Sequence, residues 1–283
     1  MRRGGAAAAW VLVALHALAL AFGLFGILVA IPHPQLFAGN AAALAFYPVA
    51  LSGTGGTGMI LGAAAMLAFG FAALGVRRTL LFFVAATTIS AAAELTGTKT
   101  GWPFGGYEYT SFLGAKLLGR VPFPIPLSWF SMGFASFVLA DAIAVRRGWP
   151  GRTWRSIVLG AWLLVAWDLV LDPSMAAPQL RSVHFWVWHE TGPYFGMPLR
   201  NLAGWFGTGL AFIAVGRLAW GNPDPPRVPT AIPFTVYALN VVWSMVISVA
   251  AGLWPTAAAA IVLSLLPAAA ALGTPRPERA VKA

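Results

Sequence analysis

Eight apolar stretches recur along the chain, near residues 7–31, 57–76, 79–96, 123–145, 156–176, 197–218, 231–251 and 254–272. Each approaches the roughly 17–25 residues that a helix needs to cross a bilayer core. Lipid offers no water to a bare backbone, so a segment of this kind spans only as a helix or in a closed barrel. The second stretch is Gly-rich and the last two are joined by only "GLWP", so the expected count is seven or eight. The "SGTGGTG" ahead of the second is a candidate re-entrant or interfacial piece. With 59% hydrophobic and 9% charged residues, against about 25% charged in soluble domains, the chain cannot clothe a water-facing surface. It reads as an all-α, polytopic integral membrane protein with a single transmembrane domain over 1–283. The lack of cysteine excludes thiol catalysis, disulfides and Cys-held metal centres.

A formal charge of +10 raises the question of nucleic acid, but the placement of the basic residues argues for topology instead. Threading eight helices from a cytoplasmic N-terminus puts Arg2, Arg3, Arg77, Arg78, Arg146, Arg147, Arg152, Arg155, Arg217, Arg227, Arg276, Arg279 and Lys282 on the cytoplasmic side, 13 of 18. Lys99, Lys116, Arg120, Arg181 and Arg200 fall opposite. Such an excess marks the cytoplasmic face, with contact to anionic lipid a secondary effect. The expected location is a bacterial inner membrane with both termini in the cytoplasm and no nucleic-acid partner. The first apolar run continues to Ile31, beyond a signal-peptide core, and reads as a retained helix. The tail "TPRPERAVKA", residues 274–283, reads as disordered.

Acidic residues are few. Asp224 and Glu278 read as solvated, and Asp141, one turn before Arg146 and Arg147, as interfacial or ion-paired. The other five gather at one depth. Glu94 ends the third helix, Asp168 and Asp172 end the fifth, and Glu108 and Glu190 lie in the loops that follow. Those loops, "GTKTGWPFGGYEYTSFLGAKLLGRVPFPIPLSWF" and "DPSMAAPQLRSVHFWVWHETGPYFGMPLRNLAGWF", are aromatic and rich in Gly and Pro where a plain connection is short. An aromatic belt at the headgroups accounts for some of their tryptophans. It does not account for carboxylates at the same level, so the loops are expected to roof an acidic chamber.

A carboxylate costs about 2.5–3.5 kcal/mol at the centre of an inserted helix, yet "AWDLVLDPSM" carries two. Asp168 and Asp172, four apart, stand on one face. Like charges that close in low dielectric do not both ionise, so the pair holds a proton suited to general-acid chemistry. The aromatic side chains around it favour a carbocation. Three other readings compete. A DxxxD motif bridges Mg²⁺ and diphosphate in membrane prenyltransferases, but a second Asp-rich motif is missing. Intramembrane carboxylates relay protons in coupled transporters, though no internal repeat is visible. Finally, the two aspartates could cap a helix that Pro173 ends. His184, His189 and Glu190 together are a weak metal signal and read as interfacial, while His16 and His33 show no partner. Gly101, Gly105, Gly192 and Gly196 read as turn glycines.

The segments around Glu94–Phe130 and Ala166–Phe206 resemble the carotenoid 1,2-hydratases of the CruF type, over roughly residues 90–210. The resemblance rests on Glu94, Gly97, Thr100, Gly101, Pro103, Phe104, Gly105, Tyr107 and Tyr109, then on Trp167, Asp168, Asp172 and Pro173. It continues on Gly192, Tyr194, Gly196, Met197, Pro198, Asn201, Gly204 and Trp205. It implies a hydro-lyase, free of metal and redox cofactor, that adds water to the terminal C1=C2 bond of an acyclic (ψ) end group such as that of lycopene or γ-carotene. The lipophilic substrate would come from the bilayer, and the 1-hydroxy-1,2-dihydro product would pass to downstream carotenoid-modifying enzymes. For that reaction we expect Asp172 or Asp168 to donate the proton and Glu94 to orient the water and take up its proton. Asn201 bonds the water or the acid pair. Tyr107, Tyr109, Trp167, Tyr194, Trp205 and Phe104 line the end-group pocket.

Overall fold

The computed structural model describes residues 3–177, 183–221 and 227–273. The tail 274–283, Asp224 and Arg181 lie outside the described residues. The apolar runs form helices α1 (Arg3–Phe25), α2 (Ala41–Ala73), α3 (Val76–Thr100), α4 (Pro124–Arg146), α5 (Arg152–Met175), α6 (Leu199–Leu218) and α7 (Ala231–Ala250). A last rod comprises α8 (Trp254–Ala260), a π turn (Ile261–Leu265) and α9 (Leu266–Ala269). Among the described residues six helices are long and apolar enough to cross a membrane, which makes this an all-α polytopic membrane protein. The last rod, Trp254–Ala269, is apolar but shorter, and α6 carries Arg200, Asn201 and Arg217 within its 20 residues.

Local chemistry sets the boundaries. The Asn40 side chain accepts from Ala43 N at 3.0 Å and caps α2. Gly75 (φ 86°) separates α2 from α3, and Gly101 (φ 77°) ends α3 in the left-handed region that glycine tolerates best. The "SGTGGTG" stretch makes no re-entrant break, because α2 runs unbroken through it for 33 residues. Its small residues have a packing use: a side chain added at Gly55 would come within 2.9 Å of Phe112 O, and one at Gly58 within 3.3 Å of Leu20 on α1.

Helices α4 and α5 are the most buried and form the centre of the bundle. Gly160 of α5 lies so near Phe137 of α4 that an added Cβ would sit 3.1 Å from its Cα, the close approach that small residues permit in membranes. The basic end of the bundle is tied by polar bonds. Arg152 grips Asp141 through both guanidinium arms, at 2.9 and 2.5 Å. Trp220 donates to Arg78 O at 2.9 Å, and Arg146 to Ala270 O at 2.7 Å. Asp141 is therefore ion-paired, though with Arg152 rather than the nearer arginines.

At the opposite end the two aromatic loops are joined. Strand β1 (Tyr107–Tyr109) pairs antiparallel with β4 (Trp186–Trp188), setting Tyr107 opposite Trp188 and Tyr109 opposite Trp186. A small hairpin of β2 (Lys116–Leu117) and β3 (Val121–Pro122) lies between them in sequence. Lys116 reaches back to Tyr109 O at 2.5 Å. This two-loop sheet is the roof that the aromatic content led one to expect.

Pro173 does not end α5, which continues to Met175. A proline in a helix removes one donor and leaves the carbonyl four residues earlier without its usual partner. That carbonyl belongs to Leu169, and the Tyr194 hydroxyl donates to it at 3.0 Å. Tyr194 was expected in the end-group pocket. Its hydroxyl is instead committed to the backbone of α5, and the residue is absent from the cavity wall. Tyr194→Phe should cost about 1–3 kcal/mol of stability, the penalty of an unpaired buried acceptor. Thermal unfolding in detergent measures it, and chemistry at the site should survive.

Candidate functional site

Beneath the roof lies a cavity of about 260 Å³ with mostly apolar walls. Glu94, Phe104, Tyr107, Tyr109, Trp167, Asp172, Asn201 and Trp205 all line it, so eight of the ten expected site residues meet at one place. Asp168 stands one turn behind Asp172, and Tyr194 bonds the backbone as described.

Two polar clusters face each other here. In the first, Glu94 of α3 is 3% exposed and accepts three hydrogen bonds. Tyr107 and Tyr109 both donate to Oε2, the latter at 2.9 Å, and Trp129 Nε1 donates to Oε1 at 2.9 Å. Residues two apart on a strand share a side, which is why both tyrosines of β1 reach the same oxygen. Burial, followed by the charge of Glu94, raises both phenols well above their ordinary range. They therefore serve as donors at any physiological pH.

In the second cluster, Asp168 and Asp172 converge on one donor. Asn201 of α6 offers its Nδ2 to both, at 2.9 Å to Asp168 Oδ2 and 2.5 Å to Asp172 Oδ2. The aspartates bond Asn201 rather than loop amides, so their environment differs from that of a helix cap. Asp168 is wholly buried, and its Oδ1 has no partner among the described residues.

Aromatic rings close the space between the clusters. Trp129 and Trp205 stack at 4.1 Å, and Trp167 meets Trp205 edge-on at 5.8 Å. The Trp167 indole N–H is buried without a partner among the described residues. Gly204 lets the roof settle on α6, since an added Cβ there would lie 2.9 Å from Pro103 O.

Sequence reasoning missed Trp129. It lies in an apolar run where a tryptophan reads as core, and only its bond to Glu94, 35 residues away, shows otherwise. No Lys or Arg lines the cavity among the described residues. The His184–His189–Glu190 group does not converge: His184 meets Ala177 O at 3.1 Å, and Glu190 pairs with Arg200. Among the described residues no three His, Asp or Glu side chains are arranged to hold a metal.

Fold and site together define a class: a helical membrane protein with a buried acidic, aromatic-walled chamber under a loop roof. Residues 54–267 match the family described as "Carotenoid biosynthesis protein". The match spans well over half of the chain, and the chain belongs to that family. Over 133 residues it is 36% identical to a bisanhydrobacterioruberin hydratase of Haloarcula japonica, an alignment covering 47% of this chain and 43% of that protein. The chain thus matches less than half the length of that relative. No solved structure matches the chain.

Proposed function

We propose that this protein is a carotenoid hydratase that adds water to the terminal C1=C2 bond of an acyclic end group by acid catalysis. The observation that carries this reading is that Asp172 and Glu94 open into the same apolar, aromatic cavity, each with its own set of hydrogen-bond donors. The hydratase named among the relatives supports it.

In this reading the Asp168–Asp172 pair shares one proton, because two carboxyl groups in contact do not both ionise. Asp172 faces the cavity and gives the proton to C2 of the alkene. The positive charge forms at C1, where two methyl groups and the chain carbon stabilise it. Trp129, Trp167 and Trp205 surround that position, and a cation over an aromatic face gains about 0.5–2 kcal/mol. Water then bonds to C1 and releases a proton to Glu94, which still has lone-pair capacity beyond its three donors. That proton returns to the aspartate pair, so the sum is alkene plus water giving tertiary alcohol. The chemistry calls for no redox cofactor. Lycopene and γ-carotene carry the required end group.

The basic ends of α3, α5 and α6 support an orientation with those ends in the cytoplasm of a bacterial inner membrane. A fluorescent reporter fused at residue 283 should then light up, whereas periplasmic phosphatase fused there should be inactive. The opposite pattern would refute the orientation. The function itself is tested by expressing the chain in a lycopene-accumulating bacterium. A product heavier than lycopene by one water is expected. Unchanged lycopene, and unchanged γ-carotene in a second host, would sink the hydratase reading.

A further inference from the structure

The acidic clusters occupy one end of the cavity, and the remainder extends between α1, α2 and α7. Helix α1 is fastened at its middle depth by three bonds. His16 Nδ1 donates to Gly58 O at 2.8 Å, His16 Nε2 accepts from Asn240 Nδ2 at 3.0 Å, and Trp243 Nε1 donates to Leu20 O at 3.0 Å. The carbonyl of Gly58 only accepts, so the ring proton is on Nδ1. Asn240 Nδ2 also donates to Val236 O at 2.8 Å, which fixes its amide nitrogen toward the ring. Both ring nitrogens are therefore used in holding three helices together.

Past this fastening α1 loosens. A Cβ added at Gly23 would meet only Trp243 Nε1, at 3.7 Å, so the glycine leaves open space in the wall. The helix then passes into a π turn, Gly26–Ala30, that also lines the cavity, a geometry frequent at functional sites. Phe22 and Phe46 line the cavity from α1 and α2 and are nevertheless 43% and 54% exposed on the outside. Their rings lie 6.4 Å apart. Side chains that face both ways mark a thin part of the wall, on the outer faces of α1 and α2.

Size makes this opening necessary. At about 260 Å³ the cavity falls below the roughly 300–1,000 Å³ that encloses a drug-sized ligand. A forty-carbon chain does not fit whole, and the aromatic roof covers the other end. We propose that the space between α1 and α2 is a polyene channel, entered sideways from the bilayer past the Phe22–Phe46 pair, with the carotenoid end group at Asp172 and the rest of the chain lying out in lipid. The identity of the occupant rests on the hydratase reading. The channel rests on the geometry alone. Its whole α1 wall, and Phe46 on α2, lie outside the 54–267 family match.

The absence of cysteine permits a reversible test. Phe46→Cys and, as a control, Leu18→Cys are purified, reconstituted in liposomes containing lycopene, and treated with benzyl methanethiosulfonate. Leu18 is 66% exposed on α1 and does not line the cavity. The readouts are lycopene retained by the repurified protein and hydrated product. Modified Phe46→Cys is expected to lose lycopene uptake and to regain it with dithiothreitol, while Leu18→Cys is unaffected. Phe22→Cys, on the other side of the opening, serves if Phe46→Cys fails to accumulate. Fully modified protein that fills at the unmodified rate overturns the channel. A parent that takes up lycopene and never hydrates it overturns the hydratase reading and leaves the channel standing.

Discussion

Asp172→Asn should abolish hydration, with a loss of about 10²–10⁴-fold, the usual contribution of a positioned general acid, while the protein stays folded in the membrane. The change is nearly isosteric. The new side chain still offers a carbonyl oxygen to Asn201 Nδ2, which now reaches Asp172 at 2.5 Å, so the tie between α5 and α6 persists. What disappears is the acid that faces the cavity. Asp168 retains its bond to Asn201 but stands behind position 172 and lines no part of the cavity, so it cannot reach the alkene in its place. Asp168→Asn should therefore also reduce the rate, by depriving Asp172 of the partner that shares its proton, but less steeply. Initial rates on lycopene in liposomes, normalised to protein extracted from the membrane, separate the two. Equal loss in both variants would make the pair a single unit, whereas full activity in Asp172→Asn would remove the acid from the account.

Glu94→Gln should damage rate and stability together. The indole N–H of Trp129 only donates, so the glutamine must turn its carbonyl toward Trp129 and its amide nitrogen toward Tyr107 and Tyr109. Those hydroxyls then face a donor and must turn their protons into apolar walls. An unsatisfied buried polar group costs about 1–3 kcal/mol, which a lowered unfolding temperature in detergent reports. The variant also loses the carboxylate that takes the proton from water, so turnover should fall even at temperatures where it is fully folded. Trp129→Phe is the contrast, since it deletes one donor and leaves the carboxylate with two. A smaller rate loss in Trp129→Phe than in Glu94→Gln would assign the chemistry to the carboxylate rather than to the fit of the roof.

Much of this arrangement is legible in the sequence because membranes restrict what a chain can be. Apolar runs translate directly into helices α1–α7, and the scarcity of carboxylates makes the five at one depth stand out. Only Glu94, Asp168 and Asp172 meet at the chamber, while Glu108 is exposed and Glu190 pairs with Arg200. The i,i+4 spacing puts Asp168 and Asp172 on one face, and the aromatic loops announce the roof. What escapes is whatever depends on a partner far along the chain. His16 looks solitary until Gly58 and Asn240 are seen beside it, 42 and 224 residues away. Trp129 reads as core until Glu94 accepts from it. Pro173 signals a helix end by every local rule, and α5 continues because a tyrosine 25 residues from Leu169 satisfies the freed carbonyl. The Gly-rich stretch in α2 suggests a break where close helix packing is its use.

The central claim is that the cavity protonates an alkene carbon and lets water capture the cation. Purified protein in liposomes, given lycopene in water enriched in both deuterium and oxygen-18, tests it in one mass spectrum. The account expects a product carrying one oxygen-18 on the tertiary carbon C1 and one carbon-bound deuterium at C2. A product whose oxygen comes from air, or a hydrated product with no deuterium at C2, would contradict it.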